Sequence, residues 1–230
     1  MRKVFFQILM LISILSIALG NSKSIIYLNT VSGQAIAKTA DHDSDFYKLV
    51  SYYHPQKTSG YCGLASLAIV LNALHIEAPA DSAFLPANAH SQDNLLWSDK
   101  TLKITQHRSL LTAGLTIEQL KKIAELYNAK VKIISLSDKT SYEEAKSTII
   151  LAIDDKNGFV IINYDRKKLS QKGGGHFSPI GGYDSHTDRF LIMDVAGYKY
   201  PMVWVDAQDL RKTASTKDGS IGIMLIQKGS

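Results

Sequence analysis

The chain has 230 residues, of which 26 are Lys or Arg and 21 are Asp or Glu, giving a formal net charge of +5. Apolar residues make up 45% of the sequence and aromatic residues 9%, so a buried core is expected and general disorder is excluded. The single cysteine excludes an internal disulfide and a cysteine-rich metal cluster.

The first 20 residues are predicted to form an export signal. Arg2 and Lys3 give a positive start, residues 4–19 are almost wholly apolar, and Ala18 and Gly20 are the small residues expected before a cleavage site. The alternative is a membrane anchor, but this apolar run is slightly short for a span, which needs about 20 residues. We therefore expect removal of residues 1–20 by a signal peptidase.

Cleavage would leave residues 21–230 as one mature domain, periplasmic or secreted and without membrane attachment. Loss of the two basic residues of the signal lowers the net charge to +3, which is too small to indicate nucleic-acid binding. An exported protein with one cysteine is unusual, because oxidising compartments favour paired cysteines or none. The lone thiol is therefore either buried and inert or retained for chemistry.

The first half of the mature chain is predicted to be mainly helical. Residues 41–45 are rich in aspartate but lack the central glycine and distal glutamate of a calcium loop, so a solvated loop before a helix near Phe46 is preferred. Residues 62–74 are apolar nearly all round, which predicts a buried central helix. Residues 78–107 have few periodic apolar positions and are expected to be irregular, with short helical turns.

Two capping boxes predict two further helices. Thr116 starts the first, which ends at Asn128, and Ser141 starts the second, which continues to about Ala152. Residues 131–136 between them are predicted to form a strand.

The last third of the chain is predicted to be mainly β-structure. Short β-rich runs alternate with turn signals, and a short helix is expected at 207–212. The predicted strands are residues 159–164, 177–183, 190–195, 201–205 and 221–227. Helices first and strands later predict an α+β domain with helices packed on an antiparallel sheet.

Cys62 is a candidate nucleophile because it stands at the start of the predicted central helix. The unpaired N–H groups and positive end of a helix favour a thiolate. The alternative is a small buried apolar residue, which is the commonest role of a free cysteine. Gln56 lies six residues earlier across a turn, where its amide could join the Cys62 N–H as a donor to an oxyanion. An exposed loop glutamine is the alternative for Gln56.

His176 and Asp194 are expected to meet at one end of a hairpin. Residues 184–188 are the predicted turn, which places both residues near the open end, where a carboxylate can orient an imidazole. A polar hairpin rim is the alternative. With Cys62 and Gln56, the pair predicts thiolate attack on a peptide carbonyl, proton transfer by the imidazole and a thioester intermediate.

No metal or nucleotide site is predicted. The other histidines lack metal-ligand spacing, and Gly173–Gly175 lack the Lys-Ser/Thr ending of a phosphate loop. Trp97 and Trp204 are interpreted as packing residues rather than as a carbohydrate platform.

Three stretches closely resemble the phytochelatin synthases, a papain-like Cys-His-Asp family. They are residues 46–74, 173–184 and 190–205, and the segments YCGLASL and HFSPIGGY within them are long and specific. The resemblance is to the short, prokaryotic-type members, which implies a catalytic domain alone. The resemblance implies a papain-like α+β fold over residues 21–230, with a central helix that starts at the catalytic cysteine and packs on the C-terminal sheet.

The resemblance also implies roles for individual residues. Cys62 would be the acylated nucleophile, His176 the base, Asp194 its orienter and Gln56 the oxyanion donor. The implied substrate-binding residues are Asn163, Gly175, Tyr61, Gly63 and Lys199.

The implied activity is that of a glutathione γ-glutamylcysteinyltransferase. Glutathione acylates the cysteine, glycine leaves, and the γ-glutamylcysteinyl group passes to water or to a second glutathione, which yields phytochelatin. The implied partners are glutathione or related γ-glutamyl peptides, and heavy-metal ions that are detoxified. Cadmium or zinc would promote transfer as thiolate complexes, without a tightly bound cofactor. The sequence leaves open whether the protein is a monomer or a homodimer.

Two departures from the family pattern favour hydrolysis over polymerisation. Gly197 stands where many members have an arginine, and Ile221 stands near the last strand, where members often have another. A lost charge-assisted hydrogen bond costs about 1.5–3 kcal/mol. The cations that could compensate are Arg166, Lys167, Lys199 and Arg211. A papain-like peptidase acting on other peptides and a non-catalytic protein that binds glutathione or metal thiolates are the open alternatives.

Overall fold

The computed structural model describes residues 24–80, 87–134, 136, 141–214 and 222–229. The predicted signal at 1–20 and the departure at Ile221 therefore lie outside the described residues. Across the described ranges, no helix combines the length and the apolar character needed to cross a membrane.

Helices occupy most of the first half of the described chain. In chain order they are α1 (Val31–Thr39), α2 (Ser44–Val50), α3 (Cys62–Ala73), α4 (Gln92–Leu96), α5 (Asp99–Leu102), α6 (His107–Ala113), α7 (Ile117–Leu126), α8 (Tyr142–Ile153) and α9 (Ala207–Thr213). The side chains of Thr116 and Ser141 cap α7 and α8, as predicted, by accepting backbone N–H groups three residues later.

Within the described ranges, the strands form one seven-stranded sheet in the order β1-β6-β5-β4-β3-β7-β2. They are β1 (Ile25–Tyr27), β2 (Ala129–Ile134), β3 (Gly158–Asp165), β4 (Gly175–Asp184), β5 (Arg189–Ile192), β6 (Val203–Asp206) and β7 (Gly222–Lys228). Every neighbouring pair is antiparallel. The predicted α+β class is confirmed.

Both faces of the central sheet are covered by helices, which explains why β3 is apolar without alternation. Phe159 and Ile161 point to the side of α3 and α7, whereas Val160 and Ile162 point to the side of α8 and α9. Helix α3 is buried along nearly its whole length, as its all-round apolar sequence predicts. Its first residue, Cys62, therefore has a fixed place against β4, and the predicted packing of the central helix on the C-terminal sheet is confirmed.

Three elements of the structure, β1, α1 and α6, are not among those predicted from the sequence. The first two are hidden because a three-residue edge strand and a glycine inside a helix give weak patterns. Gly33 permits the close return of α1 onto β1, since a Cβ there would lie 2.1 Å from the carbonyl oxygen of Tyr27. Trp204 stabilises the packing of α1 on β1 by donating its Nε1–H to the Gly33 carbonyl at 3.1 Å, which fits its predicted packing role.

Candidate active site

Cys62 lies at the wall of a cavity of about 420 Å³. The side chain is 5% exposed, so the cavity is its route to solvent. Because α3 begins at this residue, its N-terminal N–H groups face the same region. The position suits a reactive thiol rather than an inert filler.

The Cys62 thiol and the His176 imidazole both line the cavity and lie close enough to act on each other's pKa. His176 Nε2 contacts Asp194 Oδ1 at 3.0 Å, which leaves Nδ1 as the ring nitrogen for the thiol. Burial would raise the pKa of the Cys62 thiol, but the hydrogen bond and charge of His176 and the backbone N–H groups of Phe177 and Gly63 lower it overall.

The imidazole responds in the opposite direction. Burial would lower the pKa of His176, but its hydrogen bonds to Asp194 and Cys62, with their charges, raise it overall. A lowered thiol pKa beside a raised imidazole pKa favours a thiolate–imidazolium pair.

His176 and Asp194 lie at the same end of the sheet, at the open end of the β4–β5 hairpin. They are not direct cross-strand neighbours, because the register pairs Ile180 with Ile192 and Asp194 lies two residues beyond β5. The chain turns inward there, and Ala196 N donates to Asp194 Oδ1 at 2.8 Å. This turn, rather than the ladder, brings the carboxylate to the imidazole.

Asp194 is also held by Arg166, a contact that the sequence does not predict. Arg166 Nη2 donates to Asp194 Oδ1 at 2.7 Å, and both side chains are buried. Burial would raise the pKa of Asp194, but the hydrogen bonds and charges of His176 and Arg166 lower it overall. The carboxylate therefore stays ionised beside the imidazole.

Gln56 lies at the cavity wall and is buried, so the exposed-loop alternative does not fit. Its Nε2 donates to Tyr198 Oη at 2.8 Å. Gln92, which the sequence analysis missed, holds the backbone on both sides of Gln56. Its amide donates to the preceding carbonyl, of Pro55, at 3.0 Å and accepts from the following N–H, of Lys57, at 2.8 Å. An amide so placed can serve an oxyanion once the Tyr198 hydroxyl is displaced.

Asn163, Gly175 and Lys199, three of the five residues expected to bind substrate, line the cavity. Asn163 Oδ1 is buried and has no hydrogen-bond partner within the described ranges, so it can accept a hydrogen bond from a ligand. Lys199 Nζ donates to the Lys172 carbonyl at 2.7 Å at the cavity rim. Of the four cations expected to compensate for the missing arginines, Arg166 and Lys199 are at the cavity wall.

Tyr61 and Gly63, the other two, lie behind the wall. The Tyr61 hydroxyl contacts His107 Nε2 at 2.9 Å. Gly63 packs inward, since a Cβ there would meet Leu115 at 3.2 Å and Phe177 at 3.5 Å. The backbone N–H of Gly63 faces the thiol, so its contribution in the structure is to Cys62.

A further part of the cavity wall is formed by residues 111–115, at the end of α6. Gly114 ends this helix with φ +72, a conformation suited to glycine. Gly60 lies against the helix, where a Cβ would approach the Leu110 carbonyl to 2.1 Å. The Ala-Gly step after an apolar run is the sequence signal that could have predicted this helix end.

Gly197 lies close to the site. A Cβ there would be 3.0 Å from Tyr53 Oη, and Tyr53 donates that hydroxyl to the Asp194 carbonyl at 2.7 Å. An arginine at this position, as in many relatives, would require Tyr53 to move.

Among the described residues, Asp41, Asp184 and His186 offer ligand atoms within 4.8 Å of one another. Their carboxylates already accept hydrogen bonds from Ser185 and Thr187. The group lies at the turn of the β4–β5 hairpin, at the opposite end from His176. It gives Cys62 no metal partner.

The family model of phytochelatin synthase matches residues 18–223, most of the chain. The chain belongs to the phytochelatin synthase family. It is 34% identical over 188 residues to glutathione gamma-glutamylcysteinyltransferase 3 of Lotus japonicus, covering 80% of this chain and 37% of that protein. It is 33% identical to glutathione gamma-glutamylcysteinyltransferase 1 of Arabidopsis thaliana, covering 77% and 35%.

A more distant relative is the glutathione gamma-glutamylcysteinyltransferase of Schizosaccharomyces pombe, at 29% identity over 70% of this chain and 37% of that protein. This member of the phytochelatin synthase family thus spans little more than a third of the curated relatives that it matches. Among solved structures, the peptidase domain of Streptococcus ComA matches with a TM-score of 0.46 at 17% identity, over 77% of this chain and 98% of that domain.

Proposed function

We propose that this protein is a glutathione γ-glutamylcysteinyltransferase-like enzyme that favours water as the acceptor. The observation that carries the proposal is the placement of Cys62, His176 and Gln56 around one cavity, with His176 Nε2 held at 3.0 Å from Asp194 Oδ1. Relatives named for this transfer belong to the same family.

The first half-reaction would form a thioester. The Cys62 thiolate attacks the carbonyl of the cysteinyl–glycine bond, and the oxyanion accepts hydrogen bonds from Gln56 Nε2 and the Cys62 N–H. His176 protonates the departing glycine amine, and Asp194 holds the imidazole in position. Asn163 Oδ1, buried without a partner inside the described ranges, would accept a hydrogen bond from the γ-glutamyl amino group.

The second half-reaction would transfer the acyl group. His176 takes a proton from the acceptor, the acceptor attacks the thioester, and the thiolate leaves. We favour water because the two Lys and Arg side chains that line the cavity in the described part of the chain are already engaged, Arg166 by Asp194 and Lys199 by the Lys172 carbonyl. Gly197 adds no cation, so little positive charge is left to hold the carboxylate of a second glutathione.

Cadmium or zinc would enter as thiolate complexes of the substrate rather than as a resident cofactor. We also propose that the chain is exported, with residues 21–230 as the catalytic domain. Intact mass of the protein purified from the extracytoplasmic fraction would show whether cleavage occurs after Gly20.

The test is incubation of the reduced protein with glutathione, followed by product analysis and intact mass. We expect free glycine, more γ-glutamylcysteine than phytochelatin, and an acyl adduct on the protein. Cys62→Ala is the control and should give neither glycine nor adduct. Absence of glycine release by folded, reduced protein would contradict the proposal.

Two further experiments distinguish the proposed enzyme from a general peptidase and from a non-catalytic binding protein. A panel of γ-linked and α-linked peptides would reveal a general peptidase if α-linked bonds were cleaved faster. Calorimetry would reveal a non-catalytic binding protein if glutathione bound without turnover.

A further inference from the structure

Arg166 is a buried cation beside the candidate active site. It follows β3, opens a short 3₁₀ helix (Arg166–Leu169), and is 3% exposed. Such a charge needs compensating partners, because taking it out of water is costly. Its Nη2 donates to Asp194 Oδ1 at 2.7 Å, and its Nη1 donates to Gln171 Oε1 at 2.9 Å.

The surrounding loop fixes the guanidinium in this place. Its central carbon lies 5.0 Å from the ring centroid of Tyr200 and 5.8 Å from that of Tyr164. The Arg166 N–H donates to the Gly174 carbonyl at 3.1 Å, so the loop closes on itself. Gly173, with φ +128, leaves room for the arginine, since a Cβ there would be 3.1 Å from Arg166 Cδ. The Arg166 guanidinium is thus held next to the Asp194 carboxylate by the loop, by the two tyrosine rings and by its second acceptor, Gln171 Oε1.

We propose that Arg166 is a positioning residue that fixes the Asp194 carboxylate and sets the charge balance of the Cys62–His176 pair. Asp194 Oδ1 accepts from Arg166, His176 and Ala196 N, so one oxygen is shared between two cationic groups. This inference uses the catalytic roles of the proposed function but does not depend on the identity of the substrate.

The charge of Arg166 acts on the two partners in different ways. It attracts the Cys62 thiolate, and it disfavours a second positive charge on His176. Removing it would make the thiolate less stable and the imidazolium more stable. Both limbs of a pH–activity curve would therefore move to higher pH, whereas mere loss of folded protein would lower the curve without moving it.

Other ionisable groups face the Arg166–Asp194–His176 cluster and are left unchanged in the variants tested below. Tyr164 of β3 lies edge-on to the His176 ring, and Tyr53 donates to the Asp194 carbonyl. Lys199 reaches the same loop, where its Nζ lies 3.5 Å from the position of a Cβ on Gly173. Because these groups are common to all variants, a shift would report Arg166.

The experiment is the pH dependence of alkylation by iodoacetamide, read by intact mass. The chain has one cysteine, so the rate reports Cys62 alone and needs no glutathione. We expect Arg166→Gln to raise the midpoint by about one pH unit, which makes alkylation about tenfold slower below both midpoints. Arg166→Lys should lie between this variant and wild type. Arg189→Gln, which removes a buried arginine near the hairpin turn, should keep the wild-type midpoint.

Rescue by a free cation tests the same charge independently. Added guanidinium ion should return the midpoint of Arg166→Ala towards wild type and leave wild type unchanged. A folded Arg166→Gln protein with the wild-type midpoint would overturn the proposal. If that variant does not fold, as judged by circular dichroism, Arg166→Lys decides: a raised midpoint supports the role, and the wild-type midpoint overturns it. A shift without any glycine release would count against the proposed substrate alone.

Discussion

The wall of the cavity that carries Cys62 (the first wall) and the wall formed by residues 111–115 (the second wall) differ in how firmly the fold holds them. On the first, Cys62, His176 and Gln56 are each at most 5% exposed: Cys62 begins α3, His176 lies in β4, and Gln56 N donates to the Val195 carbonyl at 2.8 Å. On the second, Leu111 is 42% exposed and comes from a short helix with no capping side chain at its start.

This difference suggests that the first wall determines the rate of the chemical step and that the second wall mainly affects substrate binding. Groups that must stabilise charge in a transition state need fixed positions, because reorganising them would cost part of the catalytic effect. A wall that only contacts the substrate can move without slowing the reaction of the bound substrate. Substitutions on the first wall should therefore lower kcat, and those on the second should mainly raise KM.

Asp194→Asn should have the largest effect. The amide cannot hold the His176 ring in the same tautomer and does not balance the charges of the imidazolium and Arg166. We expect kcat for glycine release to fall by about 10⁴-fold. Asp184→Asn, a buried aspartate at the other end of the hairpin, is the matched control. Stopped assays with circular dichroism on both variants measure this, and a fall of less than tenfold in folded protein would contradict the role of Asp194.

Gln56→Leu should have the second-largest effect, because it removes one oxyanion donor without greatly changing the volume of the side chain. We expect kcat to fall by about 10²–10³-fold with KM little changed. The exposed Gln208→Leu on α9 serves as control. A change confined to KM would mean that Gln56 binds the substrate rather than the oxyanion.

The first wall is also the part that could be predicted best from the sequence. Cys62, Gln56 and His176 stand in local patterns: a helix start, a turn before it and a strand after glycines. Arg166 contacts a residue 28 positions away, and Gln92 contacts residues 35 and 37 positions away, through the folded chain, and no local pattern marks such contacts. The wall at 111–115 was missed for the same reason, since its place depends on the packing of Gly60 against α6.

The packing of α2 on β4, the strand that carries His176, should make the stability of the protein depend on pH through Asp45. This carboxyl lies in α2, which packs on β4, with Lys48 Nζ at 3.7 Å. Burial raises the pKa of Asp45 to about 7, against the attraction of Lys48. The folded protein thus binds more protons than the unfolded chain between about pH 4 and 7, so stability falls as the pH rises through this window.

Asp45→Asn should remove this loss. We expect the variant to gain about 2 kcal/mol over wild type between pH 5 and pH 8, less than the full shift implies, because Lys48 and solvent screen the charge. Thermal denaturation at both pH values measures the gain, with Asp43→Asn as the matched control. A constant difference between Asp45→Asn and wild type across this range would show that Asp45 ionises normally.

Leu111→Ala should have the smallest effect and tests the second wall directly. The side chain loses three carbons, but it is partly exposed, so about 1 kcal/mol of contact with the substrate is at stake. We expect KM to rise about fivefold with kcat nearly unchanged, and iodoacetamide alkylation of Cys62 to keep its wild-type pH profile. Leu151→Ala on α8, where the leucine is 73% exposed and remote from the cavity, is the control. A large fall in kcat would show that the apolar wall also positions the reacting groups, and the contrast between the two walls would then be wrong.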